Sequence, residues 1–292
     1  MIDSSYSDLT ISDLFSGDVE LASPPDLYFE LDKVIQQPGK SLADAGLIIE
    51  KDPNLSAKLL RIVNSAFFGF PAQINTITHA LTLIGTTELK NLVLSTLVLD
   101  KFSTLPGGMM SMNEFWAMSL RCALFARELE KYMSQAEKPD YAVGTEITES
   151  MFLCGLLHEI GLLVFYIKIP ELAREVAFQL NASGFDEQLL EQRIIGFDHY
   201  QVGAELLNLW RLPKIFVATL KNHQQPQMAG PYARETALLK LASQLSRSRR
   251  EERPAGIAPE INIPGLNADD IAIVLQQTDE QVDEIISVFC SV

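Results

Sequence analysis

The 292 residues contain four histidines, His79, His158, His199 and His223. The last three fall at or beside helix signals in the second half of the chain. His158 stands next to Glu159 in the apolar run Cys154-Gly155-Leu156-Leu157-His158-Glu159-Ile160-Gly161. A helix through that run would hold an imidazole and a carboxylate side by side in the core, and a paired N and O donor suits a hard or borderline divalent cation. The competing reading makes His158 and Glu159 a hydrogen-bonded core pair, with His199 and His223 as ordinary capping or surface residues near helix ends. His79, in Thr76-Ile77-Thr78-His79-Ala80, reads as a plain helical position. Other catalytic routes lack their residues. There is no phosphate-cradling loop of the P-loop or dinucleotide type and no GxSxG elbow. Cys122, Cys154 and Cys290 are odd in number, widely spaced and without a CxxC pair, which suits buried thiols in a reducing compartment.

Helices must position these groups, because helical signals recur almost throughout and no strand alternation or hairpin turn pair is found. Asp52-Pro53 reads as an N-cap and first helical position leading into Leu55, Leu59, Leu60 and Val63, with the helix ending near Gly69 and Pro71. Gly85-Thr86 separates one helix from the next, which carries Leu89, Leu92, Val93 and Leu97. Asp198 with Gln201, and Thr278 with Gln281, have capping-box spacing. Thr104-Leu105-Pro106-Gly107-Gly108 is the clearest break and divides two helical lobes. Asn64 and Ser65 are polar in an apolar helix and are expected to hydrogen-bond across the lobe interface. Phe67, Phe68 and Phe70 read as core and lobe packing, with a partner groove as the alternative. Met109, Met110 and Met112 suit either a flexible contact surface or loose loop packing.

The composition, 47% hydrophobic and 21% charged, can bury a substantial core. The formal charge of −15 disfavours direct nucleic-acid binding, which draws on Lys and Arg displacing counterions. The basic cluster Arg247, Arg249, Arg250 and Arg253 is interrupted by Glu251 and Glu252, so it reads as a solvated loop, with a docking patch for an acidic partner as the alternative. No run approaches the length of uninterrupted apolar residues that a membrane span needs. The start, Met1-Ile2-Asp3-Ser4-Ser5, lacks the form of a secretion signal. A cytoplasmic protein without membrane association is the expectation.

Several of these segments together resemble the HDOD family, a branch of the HD-domain metal phosphohydrolase superfamily found in bacterial signalling proteins. In the first lobe the resemblance rests on Pro24-Pro25, Ile49-Glu50-Lys51-Asp52-Pro53, the Leu60 to Gly69 stretch containing Asn64-Ser65, and Ala80-Leu81-Thr82-Leu83-Ile84-Gly85. In the second it rests on Phe115-Trp116, the Leu156 to Gly161 run, Gly196-Phe197-Asp198-His199 with Val202-Gly203-Ala204, and Trp210-Leu212-Pro213. It covers roughly residues 20 to 245. Active members of the superfamily hold one or two metals with a first His, a His-Asp pair, further histidines and a late Asp. By this resemblance the first His falls at Met118, a thioether unsuited to Mg, Mn or Fe, and the pair becomes His158 and Glu159. The extra methylene moves the carboxylate by more than about 1 Å, where metal distances hold to about 0.2 Å. His199 and His223 match the later histidines, Asn222 replaces a second His, and the late Asp falls at Ser243. Leu162 stands where active relatives often carry Lys, and no Gly-Tyr-Pro follows His223, which argues against cyclic dinucleotide hydrolysis of the HD-GYP kind.

The expected architecture is therefore all-α: a multi-helix bundle of two lobes, the second HD-domain-like. Residues 1–19 form a tail docking through Leu9, Ile11 and Leu14. Residues 20–245 form the HDOD domain, with lobes at 20–105 and 109–245, and 246–292 form a linker and two short helices starting near Asn267 and Thr278. The expected function is non-catalytic signal transduction by binding a small ligand or a signalling protein, with no cofactor. The alternatives are a residual divalent metal on His158, Glu159, His199 and His223 supporting hydrolysis of a nucleotide or cyclic nucleotide, and a purely structural adaptor. Activating water on a metal requires several fixed ligands and an open position, and two ligand positions are lost.

Overall fold

The computed structural model describes residues 9–65, 67–103, 111–136, 145–183, 186–247 and 263–290. Among them every regular element is helical. The first lobe comprises α1 (Val19–Ala22), α2 (Asp26–Gln36), α3 (Leu42–Ile49), α4 (Pro53–Val63), α5 (Ile77–Ile84) and α6 (Thr86–Lys101). The second comprises α7 (Met112–Ala136), α8 (Thr145–Leu157), α9 (Ile160–Lys168), α10 (Pro170–Ser183), α11 (Glu187–Ile194), α12 (His199–Leu209), α13 (Lys214–Lys221) and α14 (Ala233–Arg247). A last helix, α15 (Ala268–Cys290), packs on α7 and α4. A single apolar core runs through both lobes, from Leu14 to Phe289. The indole Nε1 of Trp210 donates to the Leu21 carbonyl at 3.1 Å and ties the lobes together.

Local signals explain most helix starts. The Asp52 carboxylate accepts the amides of Asn54 and Leu55 at 3.0 and 3.1 Å, and Pro53 fills the first position of α4. At α12 the Asp198 carboxylate accepts the Gln201 amide at 2.9 Å, and the Gln201 side chain accepts the Asp198 amide at 3.1 Å. Gly85, at φ +84°, ends α5 and opens α6, a conformation that favours glycine. His79 lies exposed in the first turn of α5, as expected.

Several expectations need correction. The helix α4 ends at Val63, well before Gly69, because the Asn64 side chain turns the chain. Its amide donates to the Leu60 and Ile74 carbonyls and its oxygen accepts the Ile74 amide, each at 2.7 Å. Ser65 donates to the Ile62 carbonyl at 2.6 Å, so both polar residues bond within their own lobe rather than across the interface. The expected two C-terminal helices are one. Asn267 caps α15 by accepting the Asp269 and Asp270 amides, but Thr278 is a buried mid-helix residue donating to the Val274 carbonyl at 2.7 Å. No Gly or Pro interrupts 267–290.

The linker expected from 246 begins later, since Ser246 is buried and α14 continues to Arg247, while Ile263 already belongs to the core. The N-terminal segment docks as expected, with Ile11–Leu14 in a 3-10 turn, Leu14 buried, and Leu9 and Ile11 partly buried. Residues 1–8, the 104–108 break, Met109, Met110, Arg249, Arg250 and Arg253 lie outside the described residues, whereas Met112 is partly buried against the core. Within Ile147–Lys168, an 18-residue window of mean hydropathy 1.8 is long and apolar enough to cross a membrane by length and composition, and 83% of that window is buried inside the fold. It is divided between α8 and α9 at His158 and Glu159.

Candidate functional site

His158 and Glu159 occupy the two-residue turn between α8 and α9 rather than the interior of one helix. Close helix approach places other groups over this turn. A Cβ on Gly155 would come within 2.5 Å of the Ala123 Cα, so glycine lets α8 lie directly on α7. A Cβ on Gly161 would fall 1.9 Å from the His199 carbonyl oxygen, so glycine also brings the start of α12 against α9. His199 is the first residue of α12, and His223 follows the Asn222 that ends α13. All four residues are fully buried, His223 at 2% exposure being the most open, which excludes the surface role considered for His199 and His223.

The result is a buried network of alternating charge. The Glu159 carboxylate meets His158 Nε2 at 3.2 Å, His199 Nε2 at 3.3 Å and an Arg247 terminal nitrogen at 2.6 Å. The His199 contact is an ion-pair distance that falls short of hydrogen-bond geometry. On its other side, His199 Nδ1 lies 2.7 and 2.8 Å from the two Glu191 oxygens, and the Glu191 carboxylate also accepts the His199 amide at 3.0 Å. His158 Nδ1 donates to the Gly155 carbonyl at 2.7 Å. His223 stacks on Tyr200 with centroids 4.3 Å apart, and its ring lies 5.9 Å from that of His158.

Protonation follows from these partners. Burial disfavours a charged imidazole, yet Glu191 and Glu159 hold His199 well above its ordinary pKa. His158 rises to about 10, with burial opposed by its neighbours Cys122 and Glu159. Glu159 lies well below the usual carboxylate range, because Arg247, His199 and His158 outweigh its own burial. His223 is pushed well down, by burial and then by the positive His158, and is neutral. A cation bound to either ring would first have to displace its proton.

The structure thus brings His158, Glu159, His199 and His223 together. Met118 is half-buried on α7, one helical turn before Cys122, which neighbours His158 and raises its pKa. Ser243 is buried on α14, one turn before Arg247. Arg247, read from the sequence as part of a solvated loop, instead closes the network, with its second terminal nitrogen 3.6 Å from Glu187. Glu191 and Arg247 were missed because their partners are not local; a usable signal for Arg247 was its place four residues after Ser243, on the same helix face. Among the described residues no three His, Cys, Asp or Glu side chains are arranged to hold a metal ion. Arg247 takes Glu159 Oε1 at 2.6 Å, while Oε2 has no hydrogen-bond partner.

Comparison with known proteins bears on this arrangement. The family profile for the HDOD domain matches residues 21–226, more than half of the chain. This chain belongs to the HDOD family. An uncharacterized protein of Treponema pallidum (strain Nichols) is 26% identical over 200 residues, covering 68% of this chain and 36% of that protein, so the chain matches little more than a third of the curated relative's length. Among solved structures, a protein from Shewanella amazonensis described provisionally as a phosphohydrolase is 25% identical at a TM-score of 0.72, covering 91% of this chain and 94% of that one. An HDOD domain protein of unknown function from Geobacter sulfurreducens is 20% identical at a TM-score of 0.71, covering 96% and 95%. The HDOD match includes His158, Glu159, Glu191, His199 and His223 but stops before α14, so Arg247 lies beyond it.

Proposed function

We propose that this HDOD protein is a non-catalytic signalling module, in which a protein side chain supplies the positive charge that a metal supplies in active phosphohydrolases. The observation that carries this reading is the 2.6 Å contact between Arg247 and Glu159. A guanidinium is permanently charged and carries its donors in a fixed fork, so it neutralises the buried carboxylate without polarising water. His199 is bracketed by carboxylates, with Nδ1 bonded to Glu191 at 2.7 Å and Nε2 3.3 Å from Glu159 Oε2. The network therefore holds α8, α9, α11, α12 and α14 together, and output comes through binding of a ligand or a signalling protein. Family membership supports the signalling class, because the HDOD resemblance is to bacterial signalling proteins.

The second reading is a metal-dependent phosphohydrolase. It is favoured by three buried atoms without hydrogen-bond partners, Glu159 Oε2, His199 Nε2 and His223 Nδ1, which face the same network. Hydrolysis of bis(p-nitrophenyl) phosphate and of cyclic nucleotides with Mn2+ separates the two. The signalling reading expects no turnover above buffer from the full chain. Manganese-dependent turnover that disappears in His158→Ala overturns it.

A further inference from the structure

A second place in the molecule holds a charged group that the His158 network does not use. A cavity of about 390 Å³ opens at the seam between the lobes. Its lining is apolar at Phe68 and Phe70, after α4, and at Ile84, which ends α5; it is charged at Arg127 and Lys131 on α7 and Glu149 on α8. The volume falls within the roughly 300 to 1,000 Å³ of small-molecule sites. Glu88 on α6 borders it as well, but its carboxylate oxygens have no hydrogen-bond partner and are both closed to solvent, so that group acts on the cavity only through its charge.

Arg127 is the group that lacks a counterion. Its guanidinium carbon lies 3.9 Å from the Phe67 centroid and 5.9 Å from that of Phe68, and its side chain is only 17% exposed. Its ion-pair contact, from Nε to Glu128, is 4.0 Å long and too distant for a hydrogen bond. Among the described residues none of its three nitrogens has a hydrogen-bond partner, and all three remain open to solvent. A guanidinium stacked on a ring uses its face, which leaves its N–H edge for the two oxygens of a carboxylate. A largely buried charge without such a partner is costly, so the arrangement points to an anion entering from the cavity. The rest of the lining sets what that anion carries. Phe68 and Phe70 lie parallel, 2° apart with centroids at 5.9 Å, and offer flat apolar faces. Lys131 is half exposed and sits 3.4 Å from Glu128, so it adds positive charge without being the anchor. Glu149 has interactions of its own, and together with Glu88 it keeps two carboxylates close to the cavity. These repel a second negative charge, which favours a carboxylate over a doubly charged phosphate.

We infer that this seam cavity binds a small aromatic carboxylate, with its two oxygens on the Arg127 fork and its ring against Phe68 and Phe70. The inference gives the signalling reading a ligand class and rests on that reading only for its consequence: a ligand held between Phe70 of the first lobe and Arg127 of the second bridges both. The binding itself owes nothing to the Arg247 contact.

Calorimetric titration of the full chain tests it with four probes. Phenylacetate carries the ring and one negative charge. Phenylacetamide keeps the ring without the charge, acetate keeps the charge without the ring, and phenyl phosphate puts a second charge on the ring. Saturable binding of phenylacetate is expected, with each of the other three at least about tenfold weaker. Arg127→Gln, with unchanged circular dichroism, is expected to weaken phenylacetate by at least about tenfold and to remove its advantage over phenylacetamide. Phe70→Ala is expected to weaken phenylacetate while leaving that advantage intact. No saturable binding of phenylacetate up to about 10 mM, a very weak limit of affinity, overturns the proposal. So does equal binding of phenylacetamide or acetate, or wild-type affinity in folded Arg127→Gln. Phenyl phosphate binding as tightly as phenylacetate overturns it in favour of a phosphate site. The comparison of probes needs only the wild-type chain, so it decides the matter even where Arg127→Gln does not fold. None of these failures touches the phosphohydrolase assay on His158→Ala, so this proposal and the signalling reading fail separately.

Discussion

A buried carboxylate without a partner leaves a thermodynamic trace. Burial pushes Glu88 from 4.5 up to about 7, with Arg127 pulling against it and Glu149 adding to it. Between those values the folded protein keeps a proton that the unfolded chain has released. Stability therefore falls as pH rises through that window, and the deficit is complete above about pH 7. Glu88→Gln removes the ionisation, so the variant should exceed wild type by about 2 to 3 kcal/mol at pH 8, with the gap closing towards pH 4.5. Urea unfolding at both pH values checks this, and a gap that does not change with pH refutes it. Neither this residue nor the partners of the histidine network could be found by reading along the chain. His158, His199 and His223 declared themselves by type and by their neighbours. Glu159 pairs with Arg247 across 88 positions, and the one signal for that contact, the spacing of Arg247 four residues after Ser243, names a helix face without naming the partner.

Among the helices, legibility followed how local the cause was. The starts of α4, α12 and α15 are set by a side chain within three residues of the amides it accepts, so Asp52, Asp198 and Asn267 could be read directly. The end of α4 depends on Asn64 reaching Ile74, and the continuity of α15 on Thr278 bonding backwards, neither of which spacing reveals. The contact between α9 and α12 is equally hidden, since it depends on what a missing side chain would strike. Gly161→Ala places a methyl 1.9 Å from the His199 carbonyl oxygen, where backbone must move. The separation of α9 from α12 should cost more than about 3 kcal/mol, in the range of severe overpacking. The shift should appear in the urea midpoint together with loss of the His199–Glu191 contact, followed by imidazole NMR. Wild-type stability in Gly161→Ala would mean that the helices do not approach this closely.

At the scale of the whole chain, the two lobes and the C-terminal helix share one core, which the sequence division at residues 20–105, 109–245 and 246–292 did not anticipate. Patterning shows which residues are apolar but not which distant faces they cover. Phe289, near the end of α15, is buried with its ring centroid 5.9 Å from that of Phe152 on α8, and Phe152 lies 5.3 Å from Phe67 in the first lobe. This chain of rings runs from the last helix through the second lobe to the aromatic wall beside the seam cavity. Truncating Phe289 to Ala should therefore cost about 3 kcal/mol and lower the stability of the entire molecule. Its signature is a single transition, with tryptophan fluorescence, which reports Trp116 and Trp210, coinciding with helical circular dichroism at a lower urea midpoint than wild type. Two separated transitions would show instead that α15 is an appendage whose loss leaves the lobes intact, the behaviour a structural adaptor would need if its last helix carried all the binding.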